Sequence, residues 1–169
     1  MPAEDFQRIL QTLADRHVEF IVVGGVSAIL NGAPVNTFDL DVVHSTSPEN
    51  VERLLPALQE LDAYYRFQPE LRLRPNSSHL SSRGHQLLMT KFGPADFLGG
   101  ASRGRTYADL LPHSVEMELG PALTVRVLDL ETLIALKEEI GGEKDLAVLP
   151  ILRRTLKEIQ SRSRRDPTI

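Results

Sequence analysis

The chain has 169 residues, no cysteine, 41% apolar and 25% charged side chains, and a formal net charge of −4. These figures fit one globular domain, residues 1–169, with enough chain to bury its own core. They exclude disulfides, thiolate catalysis and cysteine-ligated metal. The longest apolar run, Phe20-Ile21-Val22-Val23, is far shorter than the ~20 residues a membrane-spanning helix needs. The acidic start, Met1-Pro2-Ala3-Glu4-Asp5, lacks an apolar signal core. A cytoplasmic location without a membrane partner is therefore expected. The charge is uneven: residues 151–169 carry six cationic side chains against two acidic ones, net +4, which leaves −8 on residues 1–150. Such an end is either a polyanion contact or a solvated last helix whose cations suit its C-terminus.

In chain order, Phe6, Ile9, Leu10 and Leu13 predict an amphipathic helix over 3–15. Val18–Val23 is β-branched and apolar, a buried strand, ended by Gly24-Gly25. A short helix is predicted from Val26 to Leu30, stopped by Asn31-Gly32 and Pro34. Residues 37–43 alternate in polarity as a strand does. Ser47-Pro48-Glu49 opens a helix to about Leu61 that Pro56 weakens. Residues 66–85 read as a long surface loop with a short strand at Leu71–Leu73. Strands follow at Leu87–Phe92 and Ala95–Leu98 around a Gly93-Pro94 turn. After an irregular stretch at 99–113, Val115–Leu119 and Leu123–Val127 form a hairpin. Asp129 caps a helix to Ile140, Gly141-Gly142 breaks it, and a last helix runs from Glu143 to about Ser161. The order predicts an α/β (α+β) protein: a mixed sheet flanked by helices, with a core at about 18–128 and helices at about 129–161.

Three features carry chemistry. The strand–Gly24-Gly25–helix turn permits close approach of a ligand, and a helix start suits phosphate; a tight turn also needs glycine for geometry alone. Asp39 and Asp41, two apart on a strand, share a face ~6.6 Å apart along it. Two such carboxylates among Phe38, Leu40, Val42 and Val43 repel each other unless a divalent cation sits between them, or unless the strand is a wet edge. Asp96 is a lone acid in an apolar strand, and a third carboxylate completes a metal site. The five histidines lack metal-ligand spacing, although His44 follows Asp41 closely. Arg72, Arg74, Arg83, Arg103 and Arg105 sit on the two irregular stretches, either binding triphosphate or RNA or as solvated charges.

Together, Gly24-Gly25, Thr37-Phe38-Asp39-Leu40-Asp41, Gly93-Pro94-Ala95-Asp96, Leu133–Lys137 and Lys144-Asp145 resemble the minimal nucleotidyltransferases of the DNA polymerase β superfamily. The pattern is most similar to small bacterial AbiEii-like and MNT-like members. The resemblance implies the polymerase β-like nucleotidyltransferase fold, with Asp39, Asp41 and Asp96 catalytic and ligating Mg²⁺ or Mn²⁺. It implies that Gly24, Gly25, Ser27, Thr37 and Lys137 hold the nucleoside triphosphate. It further implies transfer of a nucleoside monophosphate to a hydroxyl of RNA, such as a tRNA 3′ end, or of a protein, with Asp96 helping to deprotonate that hydroxyl. A toxin–antitoxin setting with a cognate partner is a further implication. The chain departs from the pattern at Val35, where relatives carry arginine, and at Gly25, where Gly-Ser members carry serine. The alternative reading is a non-catalytic nucleotide- or partner-binding module on the same fold.

Overall fold

The computed structural model describes residues 4–165; residues 1–3, where the first predicted helix begins, and 166–169, the end of the basic tail, lie outside the described residues. Helix α1 spans Glu4–Asp15 and ends where His17 takes a positive φ of 57° and the Val18 N–H bonds back to the Leu13 carbonyl. That return shortens the predicted strand, so β1 is Phe20–Val23. Helix α2, Gly24–Leu30, takes both glycines into its first turn. Strand β2 is Leu40–His44. It starts later than alternation predicts because the Thr37 hydroxyl donates to the Asp39 carbonyl at 3.0 Å and bends the chain there. Asp39 therefore lies on the bend at the head of the strand, not within it.

Helix α3, Pro48–Glu60, runs through Pro56, with the Ser47 hydroxyl accepting from the Asn50 N–H. The 66–85 stretch holds more structure than a loop. Strand β3 is Tyr64–Tyr65, a 3₁₀ turn covers Pro69–Leu71, and α4, Ser77–Leu80, starts in a capping box of Asn76 and His79. No strand forms at Leu71–Leu73, because Arg72 sits at φ 48°, which interrupts extension. Strands β4, His85–Thr90, and β5, Gly93–Leu98, turn at Lys91-Phe92 rather than Gly93-Pro94: Thr90 pairs with Gly93, whose φ of 123° closes the turn. The 99–113 stretch contains α5, Tyr107–Leu110, between two 3₁₀ turns. Strands β6, Ser114–Gly120, and β7, Leu123–Leu128, form the predicted hairpin. Helix α6, Leu130–Ile140, is capped by Asp129, and α7 runs from Glu143 to Arg165, past the expected end.

The seven strands make one mixed sheet in the order β3-β4-β5-β2-β1-β7-β6. Strand β2 is antiparallel to β1 and parallel to β5, and β1 is parallel to β7. Alternation sorts the side chains into two layers. Phe20, Val22, Leu40, Val42, Ala95 and Phe97 pack with α1 and α3 on one face. Ile21, Val23, Val43 and Leu128 pack with α2, α6 and α7 on the other. Burying both faces of the central strands explains their near-continuous apolar runs. Asp41 and Asp96 occupy the alternate positions between Leu40 and Val42 and between Ala95 and Phe97, so both face the α2–α6 side. Among the described residues, no helix is long and apolar enough to cross a membrane.

Candidate active site

Register brings the acids together. In the parallel β2–β5 pair Asp41 stands directly beside Asp96, and Asp39 precedes Asp41 on the bend. One carboxylate oxygen from each of Asp39, Asp41 and Asp96 lies within 4.8 Å of the other two. Asp96 is buried and the other two are half-buried. Burial, the charges of Asp39 and Asp96, and a hydrogen bond with Asp96 push the Asp41 carboxyl up to about 8, with Lys137 acting in the opposite sense. A carboxylate that unfavourably placed needs a proton or a cation. Hard oxygen donors at this separation fit a divalent cation of the Mg²⁺ type, so the three residues suit the group.

The antiparallel β1–β2 pair sets Val23 opposite Asp41, which brings the glycine turn to the acids. Gly24 has φ 63°, and a β-carbon there would run into the Asp41 carboxylate. A β-carbon on Gly25 would lie 2.7 Å from both Cβ and Oγ1 of Thr37. Both glycines are thus required by close approach, the first also by its left-handed backbone. Ser27 is fully buried, and its hydroxyl donates to the Gly24 carbonyl at 2.7 Å. Its hydroxyl proton is thus engaged within the turn. Thr37 is likewise turned inward, to the Asp39 carbonyl. Lys137 comes from α6; its Nζ lies 3.2 Å from Asp145 Oδ1 of α7, so the Lys137 and Asp145 signals meet in one ion pair.

A residue that sequence reasoning missed sits at the centre. Arg66, just after β3, pairs through Nη1 with Asp96 Oδ1, and its Nη2 lies 3.4 Å from Asp96 Oδ2 and 3.7 Å from Asp39 Oδ2. The bond to Asp96 holds the guanidinium even more firmly protonated than usual. Its only sequence signal is its place in the aromatic run Tyr64-Tyr65-Arg66-Phe67.

The other basic candidates have different tasks. Arg103 and Arg105 pair with Glu139 of α6, Arg74 pairs with Asp62, and Arg72 lies 4.2 Å over the Tyr64 ring. Arg83 takes part in none of these pairs. His44 is opposite Phe20 and so on the α1–α3 face, away from the acids; burial pushes its ring below its ordinary value. Two exposed aromatic rings adjoin these residues in the chain, Phe38 (91% exposed) next to Asp39 and Phe67 (72%) next to Arg66.

No family model matches the sequence, and no curated protein matches it significantly. Several solved structures match the fold. A Thermotoga maritima protein assigned as a nucleotidyltransferase shares 20% identity with a TM-score of 0.58, over 94% of this chain and 96% of that one. The lincosamide antibiotic adenylyltransferase LnuA, solved with lincomycin bound, shares 12% with a TM-score of 0.59, over 90% and 97%. ANT(2″)-Ia, solved with adenylyl-2″-tobramycin, shares 14% with a TM-score of 0.57, over 89% and 87%. At such identities the likeness speaks for architecture alone, and it agrees with the seven-stranded mixed sheet and its helical layers: the chain has the nucleotidyltransferase fold.

Proposed function

We propose that this protein is a divalent-metal-dependent nucleotidyltransferase that moves a nucleoside monophosphate from a nucleoside triphosphate to a hydroxyl acceptor. The observation that carries the reading is the convergence of Asp39, Asp41 and Asp96 beside the Gly24-Gly25 turn. The acceptor oxygen bonds to the α-phosphorus, the bond from that phosphorus to the bridging oxygen breaks, and pyrophosphate leaves. Such a reaction asks the protein mainly for in-line positioning and charge compensation. The three aspartates hold Mg²⁺, or Mn²⁺ in its place, which when bound neutralises phosphoryl charge. Gly24 and Gly25, lacking side chains, let the triphosphate approach Asp41, with Ser27 and Thr37 fixing the turn from behind. Lys137 faces the phosphates from α6. Asp96 accepts the proton of the acceptor hydroxyl.

For the acceptor, an RNA 3′ end is favoured over a protein hydroxyl by the cationic end of α7, where Arg154, Lys157, Arg162, Arg164 and Arg165 are all exposed. The test is incubation with labelled triphosphates and Mg²⁺, with and without tRNA or lysate. Label is expected in RNA, and none with Asp41→Asn. No transfer to any acceptor by the wild-type chain would sink the reading. One observation favours the alternative of a non-catalytic module, for instance one half of a toxin–antitoxin pair: Arg66 already satisfies two of the three acids without a metal. Stabilisation by a partner protein, with no effect of Mg²⁺ and triphosphate, would select it.

A further inference from the structure

The position of Arg66 bears on how the site is loaded. Its guanidinium is bonded into the acid cluster itself, bridging Asp96 and Asp39. A guanidinium in this place takes up lone pairs of both carboxylates and sets a full positive charge beside them, so a divalent cation binding there must work against it. Apart from these acids, the guanidinium has one long contact, 3.4 Å to the Leu88 carbonyl, and lies 5.2 Å from the Phe67 ring centroid. That ring is 72% exposed. The backbone supplies the means. Arg66 is the last residue tied to the sheet before the 3₁₀ turn, its N–H bonding the Leu87 carbonyl, and its side chain is long enough to change partners without moving that anchor.

We propose that Arg66 is a built-in competitor for the cation site. It serves as counter-ion to Asp96 and Asp39 until a divalent ion displaces it. The freed guanidinium then turns to the phosphates of the incoming nucleotide, whose oxygens match its fork. Metal and triphosphate therefore load cooperatively, each removing an obstacle to the other. The inference rests on the metal-site reading of the three aspartates given above.

The test is Mn²⁺ binding, read from the electron paramagnetic resonance signal of the free ion, for wild type and Arg66→Gln in the absence of nucleotide. Losing a charge-assisted competitor should tighten Mn²⁺ binding in the variant by roughly tenfold or more. Adding a non-hydrolysable triphosphate should then tighten Mn²⁺ binding more in wild type than in the variant. A second measurement needs no substitution. The Arg66 guanidinium N–H resonances of the wild-type chain should show hindered rotation without metal, and lose it on titration with Mg²⁺ and triphosphate. Equal or weaker Mn²⁺ affinity in Arg66→Gln, or guanidinium resonances unchanged at metal saturation, would overturn the competitor role while leaving the metal site standing. No Mn²⁺ bound by either protein would overturn both.

Discussion

Two arginine–carboxylate clusters lie on the same side of this sheet, and they are built to opposite ends. Around Glu139 one carboxylate receives two arginines: Arg105 grips both its oxygens, Arg103 approaches to 3.8 Å, and the Ser102 hydroxyl adds a bond at 3.3 Å. The arginines hold the Glu139 carboxyl below its ordinary range, as expected of a group whose charged form is satisfied. Around Asp41 the ratio is reversed. Of three carboxylates, Asp39 and Asp96 share Arg66 as a direct partner, and Lys137 is already paired with Asp145. One member, Asp41, is pushed up to about 8. The first cluster is complete and ties the 99–113 stretch to α6. The second is left short of positive charge. Ion pairs alone do not mark a site; an excess of one sign, held by strands that cannot relax it, does.

The largest expected effect comes from breaking the imbalance. Asp41→Asn or Asp96→Asn should cut nucleotidyl transfer at least ~10²–10³-fold, the loss typical of removing one preorganised charge contact. Asp41→Asn should also raise the melting temperature of the metal-free protein, by about 2–4 °C for each kcal/mol of repulsion relieved. A variant that loses both activity and stability would mean that Asp41 belongs to the scaffold. The balanced cluster predicts the reverse. Glu139→Gln leaves two arginines facing a neutral amide, and this should lower the melting temperature. Mn²⁺ affinity should stay unchanged, as read by the same resonance titration.

The two clusters also separate by pH. The Asp41 carboxyl titrates near 3.8 when unfolded and about 8 when folded, so its protonated form is favoured in the native state. Its contribution is therefore fully present below pH 4 and is lost as pH rises through 8, by at most about 1.4 kcal/mol per pH unit. Glu139 acts in the opposite direction, its contribution vanishing only in acid. Melting temperatures of the metal-free protein should therefore fall between pH 5 and 8 in wild type and stay flatter in Asp41→Asn. Saturating Mg²⁺ should flatten the wild-type curve. A wild-type curve that does not respond to Mg²⁺ would argue against cation binding at these acids.

The acidic half of the site was legible in the sequence, and its arginine was not, for a physical reason. Asp41 and Asp96 interrupt apolar strands, and an acid in such a strand is costly enough to stand out from its neighbours alone. Gly24-Gly25 stood out in the same way, although its reason for being glycine, the approach of Asp41 and Thr37, depends on strand register. Arg66 reaches Asp96 across thirty residues of chain, and nothing local distinguishes it from Arg72 or Arg74. The same holds for Arg105 and Glu139, 34 residues apart. Three of the boundaries that shifted, at Val18, Asp39 and Gly93, lie where a side-chain bond or a positive φ overrides periodicity. Ser27 shows what residue type alone does not carry: its burial and its hydroxyl's bond to the Gly24 carbonyl follow from its place in the turn.

The smallest effect concerns charge that belongs to neither cluster. Arg162, Arg164 and Arg165 lie in the last turns of α7, where the helix is exposed on every side. Replacing all three with glutamine removes no packing, so the melting temperature should stay within what about 0.5 kcal/mol allows. Their charge acts at long range, and only on an acceptor that carries many phosphates. With an RNA acceptor, the salt dependence of apparent affinity should shallow by up to roughly 0.7 in log–log slope for each cation that contacts the strand. Turnover at saturating acceptor should be unaffected, because the acids and the glycine turn are untouched. With a small neutral hydroxyl acceptor neither quantity should move. Steady-state kinetics from 50 to 200 mM salt would distinguish these cases, and an unchanged slope with RNA would remove the tail from acceptor binding.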